Sequence, residues 1–151
     1  QKLDGDGLAF VHAGGSIDIT ASTSAELLEA GEVPPLRALL ALLEDGAPIE
    51  RITLSTDGQA SLPHFDAQGR LLSIEFAPMH SLLEGLRELV LSHGLSLEQA
   101  LQPITSSAAS VWGLPRKGRI EVGSDADLLL LDADSLALDT TIAAGRVFAV
   151  R

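Results

Sequence analysis

Twice in the first hundred residues a short alternating apolar run precedes an amphipathic helix, and this repetition constrains the fold more than any other feature. "GGSIDITAS" (14–22) alternates Ile17 and Ile19 with polar residues after a glycine pair, the pattern of a short strand. "TSAELLEAGEVPPLRALLALLEDG" then sets Leu36, Leu39, Leu40 and Leu43 at helical spacing, with Pro34 and Pro35 near the start and Gly46 after the end. "IERITLS" (49–55) predicts the next strand. After a long loop, "MHSLLEGLRELVLSHG" predicts a helix stopped at Gly94, with Leu82, Leu86, Leu89 and Val90 on one face. Strand then helix, repeated, is the grammar of a parallel sheet with outer helices. A closed βα barrel takes about 250 residues and eight strands, with its chemistry at the carboxyl ends of those strands. Two units close nothing alone, yet Asp57, directly after the second strand, stands where that rule places a functional side chain.

Beyond residue 95 the pattern changes. "SLEQALQPITSSAASVWGL" opens on Ser96 as an N-cap, restarts at Pro103 and closes at Gly113, which predicts two short helices or one kinked helix. "GRIEVGSDADLLLLDADS" and "LDTTIAAGRVFAVR" are short apolar runs between Gly, Asp and Ser, consistent with small strands and a turn at 144–146. A boundary near 115 therefore divides an α/β part (1–115) from an all-β tail (116–151).

A composition of 46% hydrophobic and 21% charged residues is that of a globular chain able to bury a core. Ten basic against 21 acidic residues give a formal charge of -11, and no basic run is interleaved with aromatics, which argues against nucleic acid and against anionic membrane surfaces. Cysteine is absent, so disulfides and thiolate zinc sites are excluded and any metal must use oxygen and imidazole ligands. That fits a reducing compartment, and a cytoplasmic location is expected. No apolar run approaches the length of about 20 residues needed to span a bilayer, and "QKLDGDGLAF" lacks the pattern of a secretion signal. The first residue is Gln1 rather than Met, which suggests a piece of a longer protein.

Two stretches carry a family likeness. "LSTDGQASLPHFDAQGRLLSIEFA" (54–77) and "LSLEQALQPITSSAASVWGLPRKGRIEVGSDADLLLLD" (95–132) resemble the metal-dependent amidohydrolase superfamily and, within it, the isoaspartyl dipeptidases. The second stretch, with "LEQAL", "KGRI" and "DADLLLLD", is shared in outline by many amidohydrolases. The first is sharper: an acid-glycine turn followed by Ser61, Pro63, "FD" and a glycine-containing loop resembles the dipeptidase version. "GGSIDITAS" is similar to that family's penultimate barrel strand, so the likeness runs from about residue 8 onward.

The resemblance implies the carboxyl-terminal part of a (β/α)8 barrel followed by strands of a small β-sandwich domain. It also implies a binuclear zinc centre built from a His-X-His pair, a carboxylated bridging lysine, two further histidines and one aspartate after the last barrel strand. Only the aspartate has a match, at Asp57, which would bind one metal, take a proton from the bridging hydroxide as it attacks the amide, and deliver it to the leaving amine. Ser61 matches the family serine that helps hold a substrate carboxylate. The implied substrate is a small β-aspartyl dipeptide, and family members are often homo-oligomers. This chain has no His-X-His pair, and His12, His64, His80 and His93 do not fall on family ligand positions. The expectation is thus a fragment that lacks most metal ligands and is inactive alone, with sheet edges that other polypeptide must cover.

The residues themselves allow plainer readings. Asp-Gly is a common turn pair, so "TDG" reads as a turn as well as a ligand position. Ser61 reads equally as a loop hydroxyl, and Ser55 and Thr56 as hydrogen-bonding support for Asp57. His64 reads as a solvated loop histidine, and His93 suits a helix C-terminus. "LDGDG" (3–7) lacks the remaining ligands of a calcium loop and reads as a flexible lead-in to a helix. Asp125 and Asp127 read as turn and cap residues, Asp18 points either to a barrel interior or to solvent, and Trp112 and Phe148 are expected in the core. Rival functions are another amidohydrolase, of the N-acetylglucosamine-6-phosphate deacetylase or dihydroorotase kind, and a non-catalytic α/β binding domain.

Overall fold

The computed structural model describes residues 5–23, 28–29 and 31–149. Helix α1 (Gly5–His12) leads into strand β1 (Ile17–Thr20), followed by α2 (Pro35–Glu44) and, after a 3-10 turn, β2 (Ile52–Ser55). Strands β1 and β2 run parallel, in register from Ile17 opposite Ile52 to Thr20 opposite Ser55. Helix α3 (Ser81–Leu91) completes the second strand-helix unit.

Alternation along each strand sorts the side chains onto two faces. Ile17 and Ile19 with Ile52 and Leu54 join the hydrophobic core, which holds Leu39 and Leu42 of α2 and Leu86 and Leu89 of α3. Leu39, Ile52 and Leu89 are each 0% exposed, and burying such a side chain contributes about 1.5–3 kcal/mol, so apolar packing fixes the helices on this face. The opposite face carries Asp18, Thr20, Thr53 and Ser55. In a βα barrel the face turned away from the helices is the interior, and here that face is polar.

The helix boundaries follow their sequence signals. Pro35 occupies the first turn of α2. The helix ends where Gly46, at φ +84°, lets Ala47 N–H reach the Leu42 carbonyl. Ser96 caps α4 (Leu97–Leu101) in a reciprocal capping box with Gln99. Pro103 falls in a 3-10 turn, and α5 (Ser106–Val111) follows. Buried Ser107 donates to the Ile49 carbonyl at 3.0 Å and ties α5 beneath the start of β2.

Between β2 and α3 the expected long loop is instead a hairpin, β3 (Ser61–Phe65) against β4 (Leu71–Phe76). Pro63 does not prevent it, because β3 is paired on one side only and proline is tolerated on such an edge. Phe65, Leu71, Ile74 and Phe76 are exposed on one side of this hairpin. His64 lies on β3 with its side chain only 17% exposed and 3.4 Å from Glu75, and so is not a solvated loop residue.

The tail forms a three-stranded antiparallel sheet of β5 (Leu128–Leu131), β6 (Leu138–Ala143) and β7 (Arg146–Ala149). Leu131 packs against the main core, and Arg87 Nε donates to the Ser135 carbonyl at 3.0 Å. Two aromatics expected in the core are outside it. Trp112 is 76% exposed because it stands at the C-terminal cap of α5, where the chain turns away. Phe148 is 55% exposed on the last strand of the tail sheet. Among the described residues no helix is long and apolar enough to cross a membrane.

Candidate active site

The end of β2 is built to hold a turn. Ser55 is clamped twice, to β1 and to the residue after it: its hydroxyl donates to Asp18 Oδ2 at 2.6 Å, and its carbonyl accepts Ala21 N–H at 2.7 Å. Ser22 Oγ donates to the Thr56 carbonyl at 2.6 Å, and Thr56 Oγ1 accepts Gly58 N–H at 2.9 Å. The hydroxyl-bearing residues before Asp57 therefore fix the backbone that presents it.

Asp57 itself is exposed and adopts φ +48°, in the left-handed region that aspartate tolerates better than most residues. Its carbonyl accepts Ala60 N–H at 3.0 Å, closing a turn over Gly58 and Gln59. Gln59 N–H then donates to Ala77, and Ala77 N–H to Ala60, so the turn is stitched to the chain leaving β4. A Cβ on Gly58 would lie 2.2 Å from Met79 Sδ and 2.9 Å from Thr56 Oγ1, so a larger residue there would have to displace the exposed Met79 side chain and crowd the Thr56 hydroxyl. Asp57 is thus both a turn residue and a strand-end carboxylate. Ser61, exposed, begins β3 opposite Phe76 on the far side of the same turn.

The two readings of Asp18 resolve onto the polar face. Its carboxylate accepts Thr53 Oγ1 at Oδ1 and Ser55 Oγ at Oδ2, both at 2.6 Å. Sequence patterning could mark Asp18, Thr53 and Ser55 as sharing a face, but not the register that joins them.

Two concavities lie elsewhere. One of about 240 Å3, between the start of α2 and α3, is lined by Pro35, Arg37, Glu84 and His93. The other, of about 310 Å3, lies by Glu50, Arg51 and Ser110. Neither includes Asp57 or Ser61.

The metal centre implied by the resemblance can be tested against the side chains present. Among the described residues no three His, Cys, Asp or Glu side chains gather where they could hold an ion. His64, His80 and His93 each face a glutamate, Glu75, Glu84 and Glu88, at 3.4–3.5 Å. These residues do not make a complete metal centre. Asp57, an exposed carboxylate on the hydrogen-bonded turn after β2, suits one oxygen ligand and no more.

Comparison with known proteins places this geometry. The β-aspartyl dipeptidase of Fervidobacterium islandicum AW-1, in complex with a β-Asp-Leu dipeptide, is 32% identical with a TM-score of 0.80, covering 97% of this chain and 37% of the dipeptidase. The N-acetylglucosamine-6-phosphate deacetylase of Thermotoga maritima shares the fold at a TM-score of 0.66 and 18% identity, over 98% of this chain and 42% of that one. The L-hydantoinase of Paenarthrobacter aurescens is 43% identical over 53 residues, which are 34% of this chain and 11% of the hydantoinase. The chain therefore spans well under half the length of each of these relatives. The α/β fold matches amidohydrolase structures along nearly its whole length, and the sequence profile of the Amidohydrolase family matches residues 3–148. This chain belongs to that family.

Proposed function

We propose that this chain is the carboxyl-terminal portion of a zinc-dependent β-aspartyl (isoaspartyl) dipeptidase. In this reading most ligands of a binuclear centre come from residues outside these 151, and the portion alone is inactive. The observation that carries the reading is Asp57: an acid on a hydrogen-bonded turn directly after the carboxyl end of a parallel strand, in a chain 32% identical over 97% of its length to a β-aspartyl dipeptidase. Active-site residues of βα barrels sit at that end of the strands.

Zinc, when bound, supplies a water of lowered pKa and polarises the scissile carbonyl. Asp57 would be the one ligand this chain supplies to that zinc, and its carboxylate would also take the proton of the attacking water and return it to the departing amine. The hydrogen-bonded turn fixes the backbone from which that carboxylate projects, which narrows the positions it can take for proton transfer. Ser61, at the head of β3, donates its hydroxyl to a substrate carboxylate. Assembly into a homo-oligomer and a cytoplasmic location belong to the same proposal; sedimentation and cell fractionation test them.

Purified intact gene product, loaded with zinc, tests the substrate assignment. The proposal expects hydrolysis of β-Asp-Leu at least about a hundredfold faster than of α-Asp-Leu or of N-acetylglucosamine 6-phosphate, a ratio that contacts to a displaced carboxylate can supply. Deacetylation without dipeptide cleavage would overturn it.

A further inference from the structure

We propose that Asp18 is a positioning residue whose carboxylate locks the end of β2 and so fixes the orientation of Asp57; the proposal rests on the reading of Asp57 given above. Asp18 lies on β1 in register with Thr53, and each carboxylate oxygen accepts one hydroxyl of β2, from Thr53 and from Ser55, at 2.6 Å. That separation is characteristic of charge-assisted O–H to carboxylate bonds, which are roughly twice as strong as neutral ones.

Thr53 and Ser55 are two apart and share a face, so one carboxylate bridging them fixes the stagger of the two strands as well as their spacing. The ladder beneath has only four residue pairs, and a parallel pair is slightly less stable per residue than an antiparallel one. A side-chain lock at its carboxyl end therefore matters most where Asp57 departs. Ser55 is the last residue of β2, and the Ser22 bond to the Thr56 carbonyl extends the clamp by one more residue. The apolar side of both strands is committed to the helices, leaving the polar face to set the strand ends.

The experiment compares Asp18→Ala, Asp18→Asn, Ser55→Ala and the Asp18→Ala/Ser55→Ala pair in the intact gene product. Amide hydrogen exchange over residues 52–60 is read beside kcat and KM for β-Asp-Leu. With Asp18→Ala, exchange in this segment is expected to quicken about tenfold and kcat to fall about 10–100-fold with KM within threefold, the scale of losing an outer-shell partner. Asn, which keeps one acceptor and adds a donor, should restore most of the protection and kcat. The double variant should be no worse than Asp18→Ala, because both changes remove the same lock. If Asp18→Ala does not fold, Ser55→Ala cuts the Oδ2 bond alone and must still quicken exchange.

Unchanged exchange in folded Asp18→Ala or Ser55→Ala overturns the lock, as does independent multiplication of the two losses. Quickened exchange with undiminished kcat overturns the positioning role. Full activity of Asp57→Ala refutes the reading of Asp57 itself, and the exchange result still decides whether Asp18 locks the strands.

Discussion

Ser22 Oγ and the Thr56 carbonyl are 2.6 Å apart, so the segment leaving β1 is fastened to the residue before Asp57. The carboxyl ends of both parallel strands are thereby tied outside the ladder itself. Removing this bond with Ser22→Ala should lower stability by about 1 kcal/mol, the usual net contribution of one hydrogen bond. Urea unfolding reads the loss, and a midpoint equal to that of the unsubstituted protein would contradict it.

Gly118, in the "KGRI" segment, packs against the start of α5. A Cβ there would stand 2.5 Å from the Thr105 carbonyl oxygen and 2.8 Å from Ala109 Cβ, and the residue holds φ +74°. Gly118→Ala therefore meets backbone that cannot step aside and adopts a conformation costly for a side chain. The expected loss is at least about 2 kcal/mol. A thermal midpoint unchanged from the parent would count against this packing.

The tail hairpin turns at Ala144 and Gly145, at φ +48° and +75°. Two positive φ values in a two-residue loop favour Asn-Gly over Ala-Gly. Ala144→Asn should stabilise the protein by about 0.5–1 kcal/mol by relieving alanine of the left-handed conformation. Equal or lower stability in denaturant titration would oppose it.

Asp127 couples the same turn to the preceding loop. The Ala144 N–H, donating at 2.7 Å, and the Lys117 ammonium hold its carboxyl below the ordinary value of 3.8. A carboxyl whose folded pKa is depressed adds stability above its unfolded value and loses it as pH falls through the folded value. Between about pH 5 and pH 2, Asp127→Asn should therefore lose less stability than the parent. Parallel stability curves across that range would exclude the coupling.

Much of this architecture was legible because helices α2 to α4 carried their own signals: Pro35 at a start, Gly46 and Gly94 at stops, Ser96 with Gln99 at a cap. The alternation of Ile17 and Ile19 announced a strand and the face it buries. The β3–β4 hairpin was not legible, because Pro63 argues against a strand and the exposed apolar residues of "LLSIEF" have no burial pattern to reveal period two. Trp112 and Phe148 misled because large aromatics favour burial on average, whereas Trp112 caps α5 and Phe148 lies on an edge strand of the tail sheet. Asp57 was visible as a strand-end acid from spacing. The Asp18, Thr53 and Ser55 network needed the register between strands 35 residues apart, which local sequence does not encode.

Zinc content beside β-Asp-Leu turnover, in the intact gene product and its Asp57→Asn variant, tests whether Asp57 is both metal ligand and proton relay. If Asp57 supplies both a metal oxygen and the proton relay, the parent holds about two zinc ions per chain while Asp57→Asn remains folded, binds zinc more weakly, and loses kcat by at least about 10³-fold. An Asp57→Asn protein with parental zinc content and turnover within a few-fold of the parent would contradict the account.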